Sequence, residues 1–62
     1  MKNLTTYERR QMIVRILEEQ SGIKVTELAE QLNVSEGTIR NDLTALEEEN
    51  QIMRVRGGAV PR

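Results

Sequence analysis

Two helical apolar stripes separated by a three-residue break constrain this chain more than any other feature. Val25, Leu28, Ala29 and Leu32 fall at i, i+3, i+4 and i+7, one face of a helix that starts near Thr26. Asn33 follows, a residue that tolerates left-handed backbone at a helix end. Val34 is apolar, and Ser35 is a good N-cap. Ile39, Leu43 and Leu46 then repeat at i, i+4 and i+7, so a further helix is expected from about Ser35 to Glu49. The earlier helix has only about two turns and cannot persist alone, so packing against its neighbour must hold it. A short helix, a tight turn and a Ser-capped second helix make a helix-turn-helix outline.

The flanking segments complete one small domain over residues 1–62. Thr5-Thr6-Tyr7-Glu8 fits a capping box. Behind it Ile13, Ile16, Leu17 and Gln20 keep helical spacing and Val14 widens the stripe. Ser21-Gly22 ends this first helix, and Ile23-Lys24-Val25 reads as a very short strand. Met53 and Val55 alternate with Arg54 and Arg56, the period of a strand, with the arginines on the face opposite Met53 and Val55. Gly57-Gly58 is expected as a two-residue hairpin turn with positive φ, Ala59-Val60 as the return strand, and Pro61 as its blunted end. The fold class is mostly α with a small β-hairpin: a winged helix-turn-helix of three helices plus wing. Tyr7 is the one aromatic residue, so the core must come from Leu, Ile, Val and Met. Ile13, Leu17, Leu28, Leu32, Ile39, Leu43 and Leu46 are expected to be buried. A domain of this size buries only ~60% of its unfolded surface and is marginal.

Composition removes several classes of function. There is no Cys, hence no disulfide framework, no thiolate metal site and no Cys nucleophile. There is no His, hence neither the usual zinc ligand nor the usual general base. Glu47, Glu48 and Glu49 are consecutive on a helix and fan out, so they cannot converge on one substrate bond. An enzyme, a metal site and a cofactor are therefore not expected. No run approaches a membrane span and no signal-peptide core follows Met1, so a soluble, cytoplasmic location is expected.

The formal net charge is −1, but its distribution is uneven. Residues 1–15 hold Lys2, Arg9, Arg10 and Arg15 against Glu8, and residues 51–62 hold Arg54, Arg56 and Arg62 with no acid. The middle of the chain is acidic. If the two ends fold together, a near-neutral protein presents a basic face to a polyanion.

The helix-turn-helix outline gives that face a chemistry. The N-terminal turn of the second helix offers free backbone N–H groups and a positive dipole end to phosphates, and its side chains reach base edges in the major groove. Away from Ile39, Leu43 and Leu46 the third helix carries Glu36, Gly37, Thr38, Arg40, Asn41 and Thr44. Arg pairs with guanine, Asn with adenine, and Thr with phosphate or a thymine methyl. Ser35 and Thr26 stand at the two helix starts. In the hairpin, Arg54 and Arg56 supply charge, while Gly57 and Gly58 let backbone approach a phosphate closely. Double-stranded DNA is the expected partner. A winged-helix module used for protein contacts, with the hairpin as its docking edge, is the alternative, and an exposed apolar patch is its signature.

Glu8-Arg9-Arg10-Gln11, Glu27-Leu28-Ala29, Val34-Ser35 with Thr38-Ile39-Arg40, Asp42-Leu43, Leu46-Glu47 and Arg56-Gly57-Gly58-Ala59 together resemble the N-terminal domain of DeoR-type bacterial transcription regulators. The resemblance covers about residues 7 to 60. It implies a winged helix-turn-helix that binds operator DNA, mostly in repressors of sugar and nucleoside catabolism. It also implies a larger C-terminal domain that binds a phosphorylated sugar or related metabolite and makes the parent protein a homo-oligomer. No such domain follows here, so an isolated, monomeric DNA-binding fragment is expected. Two departures stand out. Asn41 occupies a position where the family pattern often has a second arginine, and Arg56 precedes the two glycines where the family often has His.

Overall fold

The computed structural model describes residues 4–62, so Lys2, counted above in the basic N-terminal segment, lies outside the described residues. The chain forms α1 (Thr6–Glu19), α2 (Val25–Leu32), α3 (Glu36–Glu48), β1 (Ile52–Val55) and β2 (Gly58–Pro61). α1 and α3 start where the N-cap residue supplies an acceptor. The Thr5 hydroxyl accepts from Glu8 N at 3.1 Å and the Glu8 carboxylate accepts from Thr5 N at 2.9 Å, closing the capping box of α1. Ser35 Oγ accepts from Thr38 N at 3.1 Å at the start of α3. α2 starts near Thr26 as expected, at Val25, but without an N-cap acceptor: its N-cap is Lys24, which has no capping oxygen, and Glu27 reaches back to Lys24 N at 3.4 Å instead.

The turn between α2 and α3 follows the sequence reading. Asn33 is left-handed at φ 56°, ψ 48°, and Val34 N donates to Ala29 O at 3.1 Å, which closes the end of α2. Gly22, also at positive φ, carries the chain out of α1.

The core is made of Ile13, Leu17, Ile23, Val25, Leu28, Ala29, Ile39, Leu43, Leu46, Ile52 and Ala59, all buried. Six of the seven expected core residues are among them; Leu32 is half-buried and packs against the cluster. Methionine, expected in the core, is not there: Met12 and Met53 are exposed, and Met1 lies outside the described residues.

The hairpin departs from its expected register. β1 and β2 are antiparallel with Val55 opposite Gly58 and Ile52 opposite Pro61, so the two-residue turn is Arg56-Gly57, not Gly57-Gly58. Only Gly57 has positive φ, at 76°. Ile52 is buried and Arg54 half-buried on one face, while Met53 and Val55 are exposed on the other. Ile52, which the alternation had not included, anchors the strand, and the period-two rule then turns Met53 and Val55 outward. The wing is also tied to the helices. Lys24 forms a single bridge to Gly58, Gly22 N donates to Ala59 O and Val25 N donates to Gly57 O, both at 3.0 Å. The expected short strand at Ile23-Lys24-Val25 is thus one bridge deep.

Candidate nucleic-acid interface

α3 is buried along Ile39, Asp42, Leu43 and Leu46, and its opposite side is open. Glu36, Gly37, Arg40, Asn41 and Thr44 are exposed there, and Thr38 is half-buried. The apolar stripe does this: at ~100° per residue, packing Ile39 and Leu43 inward turns positions 37, 40, 41 and 44 out. Several of these groups already have partners. Ser35 Oγ donates to Thr38 Oγ1 at 3.0 Å, so the two hydroxyls are committed to the cap and to each other. Thr44 Oγ1 donates to Arg40 O at 3.0 Å, which leaves its methyl group and a lone pair facing out. Arg40 Nη2 lies 3.8 Å from Glu36, one turn back on an exposed surface. Such a pair is worth only ~0.2–0.5 kcal/mol and gives way to a better anion.

Thr26, Ser35 and Glu36 line one shallow groove between α2 and the start of α3, together with Glu30. Its two carboxylates leave the backbone N–H groups and hydroxyls as the phosphate-directed groups there. Arg56 and Gly57 form the exposed wing tip, and Gly57 O accepts from Val25 N at 3.0 Å, next to Thr26 of that groove. The remaining two hairpin candidates sit differently from expectation. Gly58 is buried at the base of β2, where a Cβ would fall 2.2 Å from Ile23 O, so its missing side chain serves the fold and offers no surface to a phosphate. Arg54 is half-buried and its Nε donates to Gly58 O at 3.4 Å.

A cluster that the sequence reading missed stands behind this surface. Asp42, 1% exposed, accepts from Arg9 through Nε and through Nη2 at 2.9 Å, and from Arg10 Nε at 3.0 Å. Two of the N-terminal arginines are therefore half-buried and paired with a buried carboxylate, and are not part of a free basic segment. Burial works to raise the Asp42 pKa, but the hydrogen bonds from Arg9 and Arg10 outweigh it and hold the carboxyl below its ordinary value. The hydrogen bond to Asp42 in turn raises the pKa of Arg9. The signal was available. Position 42 is three residues after Ile39 and four before Leu46, on the buried stripe, and an acid there must find cations.

Among the described residues no group of three or more His, Cys, Asp or Glu is placed to hold a metal, and no helix is long and apolar enough to cross a membrane. Residues 9–61 match the model of the DeoR-like helix-turn-helix domain. The chain belongs to this family. As a DeoR-type domain it is 50% identical over 54 residues to the HTH-type transcriptional regulator GolR of Listeria innocua, a match covering 87% of this chain and 21% of that protein. It is 34% identical over 56 residues to the lactose phosphotransferase system repressor of Staphylococcus epidermidis, covering 90% and 22%. It is 43% identical over 54 residues to the HTH-type transcriptional regulator GlpR of Haloferax volcanii, covering 87% and 21%. The chain thus spans about one-fifth of the length of these curated relatives. No solved structure gave a comparable match.

Proposed function

We propose that this DeoR-type domain reads operator DNA for a transcription regulator, with α3 in the major groove and the Arg56-Gly57 tip against the phosphate backbone. One observation carries the reading. α3 is fixed by a buried apolar stripe, and the side it leaves open bears Gly37, Arg40, Asn41 and Thr44, a set of base-edge and phosphate ligands without a large apolar residue. Arg40 and Asn41 read bases, Thr38 and Thr44 support them, and Arg56 grips phosphate. Thr26, Ser35 and Glu36 line the flank where the start of α3 meets the backbone. The relative named as a lactose phosphotransferase system repressor supports repression of sugar-related genes; action on chromosomal DNA in the cytoplasm is part of the proposal. The reading needs no cofactor and no catalysis. Binding of a phosphorylated sugar-like effector and homo-oligomerisation belong, in this proposal, to sequence beyond these 62 residues. The domain by itself is a monomer.

The test is selection of duplexes from a random library. Enrichment of one short motif is expected, and bound duplexes without a shared sequence would defeat the reading. A second reading, docking to a protein, is favoured by one observation: Leu4, Tyr7 and Met12 are exposed and line a single shallow groove along α1 with Gln11 and Arg15. The two readings use different faces.

A further inference from the structure

We infer that Asp42 is a specificity-determining residue that touches no DNA: by gripping Arg9 and Arg10 it fixes the rotation of α3 and so aims Arg40 and Asn41. The inference rests on the operator-reading proposal above. Apolar packing is non-directional, and the stripe of Ile39, Leu43 and Leu46 sets which side of α3 is buried without setting its rotation to a few degrees. A guanidinium fork is directional, since two N–H groups must meet two carboxylate oxygens in one plane. Here Arg9 supplies that fork and Arg10 adds a third bond, from the second helical turn of α1 to the middle of α3.

Asp42 is adjacent in sequence to Asn41 and two residues from Arg40, so the clamp acts at the level of the reading side chains. A guanidinium roughly 9 Å from the axis of a helix is moved by about 1.5 Å when that helix turns by ~10°. That shift is half the length of a hydrogen bond, enough to spoil a bidentate base contact while phosphate contacts, held by long side chains and tolerant geometry, survive. Asp42 also withdraws two cations from the pool that grips any duplex. Arg9 is 14% and Arg10 31% exposed in their side chains. Both effects favour discrimination over bare affinity.

Two variants of the full 62-residue chain test this: Asp42→Asn, which removes the charge, and Arg9→Lys, which keeps every charge and loses only the fork. Each is titrated against the duplex selected by the wild type and against random duplex, at several salt concentrations and below its own melting temperature. In wild type the ratio of the two affinities is high. In Arg9→Lys it is expected to fall about tenfold, a small part of the ~10³–10⁷ by which specific binding exceeds non-specific. Random-duplex affinity and its salt slope should stay unchanged. In Asp42→Asn the ratio should fall at least as far, with random-duplex affinity equal or higher. A purely structural clamp lowers the active fraction, scales both duplexes alike and leaves the ratio intact; that result in Arg9→Lys overturns the inference, even if Asp42→Asn does not fold. A wild type without any preference overturns the operator-reading proposal and the inference with it.

Discussion

Gly57 and Gly58 are adjacent and serve different ends. Gly57 sits in the hairpin turn at φ 76° with open space around its Cβ position, whereas Gly58 lies against the Ile23 backbone with no room for a Cβ. Asn adopts left-handed backbone readily, so Gly57→Asn should cost less than about 0.5 kcal/mol. Gly58→Ala should cost roughly 1–3 kcal/mol as the wing is forced off Ile23. Urea unfolding of both variants checks the order. Asp42 supplies a second residue-scale expectation. Its pKa lies below the ordinary carboxylate value in the folded state, so its stabilisation is present above the unfolded value, ~3.9, and is lost as pH falls through the lower folded one. Breaking a buried pair costs ~3–5 kcal/mol, and the whole domain has about 3–9 kcal/mol at the usual stability per residue. Thermal melts of wild type and D42N should differ widely at pH 7 and converge below about pH 4. A gap that stays constant down to pH 2 would mean that the ion pair is not what the substitution removes. The stripe position of Asp42 required cation partners, but charge counted along the chain assigned Arg9 and Arg10 to a basic terminus.

The three helices were legible as elements because each carries a 3.6-residue stripe and a local start or stop signal: Thr5 with Glu8, Asn33, and Ser35. The hairpin was legible as a hairpin and misread in register. Arg54 and Arg56 around Met53 and Val55 form a valid strand alternation, but alternation alone does not say which set faces in. Ile52, one residue earlier, decides it, since it is buried against the helices and places Arg54 on its own side. The short bridge at Lys24 was equally beyond local rules, because its partner Gly58 is distant in sequence. The register makes a sharp contrast between neighbours. Ile52→Ala should cost ~2–5 kcal/mol, while Met53→Lys and Val55→Thr should stay within about 0.5 kcal/mol of wild type. Denaturant midpoints of the three variants measure it, and a large loss in Met53→Lys would show that the strand is turned over.

At the scale of the whole molecule, eleven buried apolar residues among the described ones support a DeoR-type domain with one open helix face and a tethered wing. A single module of this kind buries only ~600–1,000 Å² of protein surface on DNA, so its affinity should be modest and steeply salt-dependent. Reading and gripping then belong to different parts. Arg40 is exposed on the flank of α3, turned ~100° from buried Ile39, and Arg56 is at the exposed wing tip. The most direct measurement is a salt-resolved titration of wild type, Arg40→Ala and Arg56→Ala against the selected duplex, its single-base variants and random duplex. Arg40→Ala should lose roughly 1–3 kcal/mol of discrimination at about one base pair, and Arg56→Ala should weaken all duplexes alike and lower the salt slope by ~1. If Arg40→Ala keeps the full sequence preference while Arg56→Ala abolishes it, α3 is not the reading helix and the account is wrong.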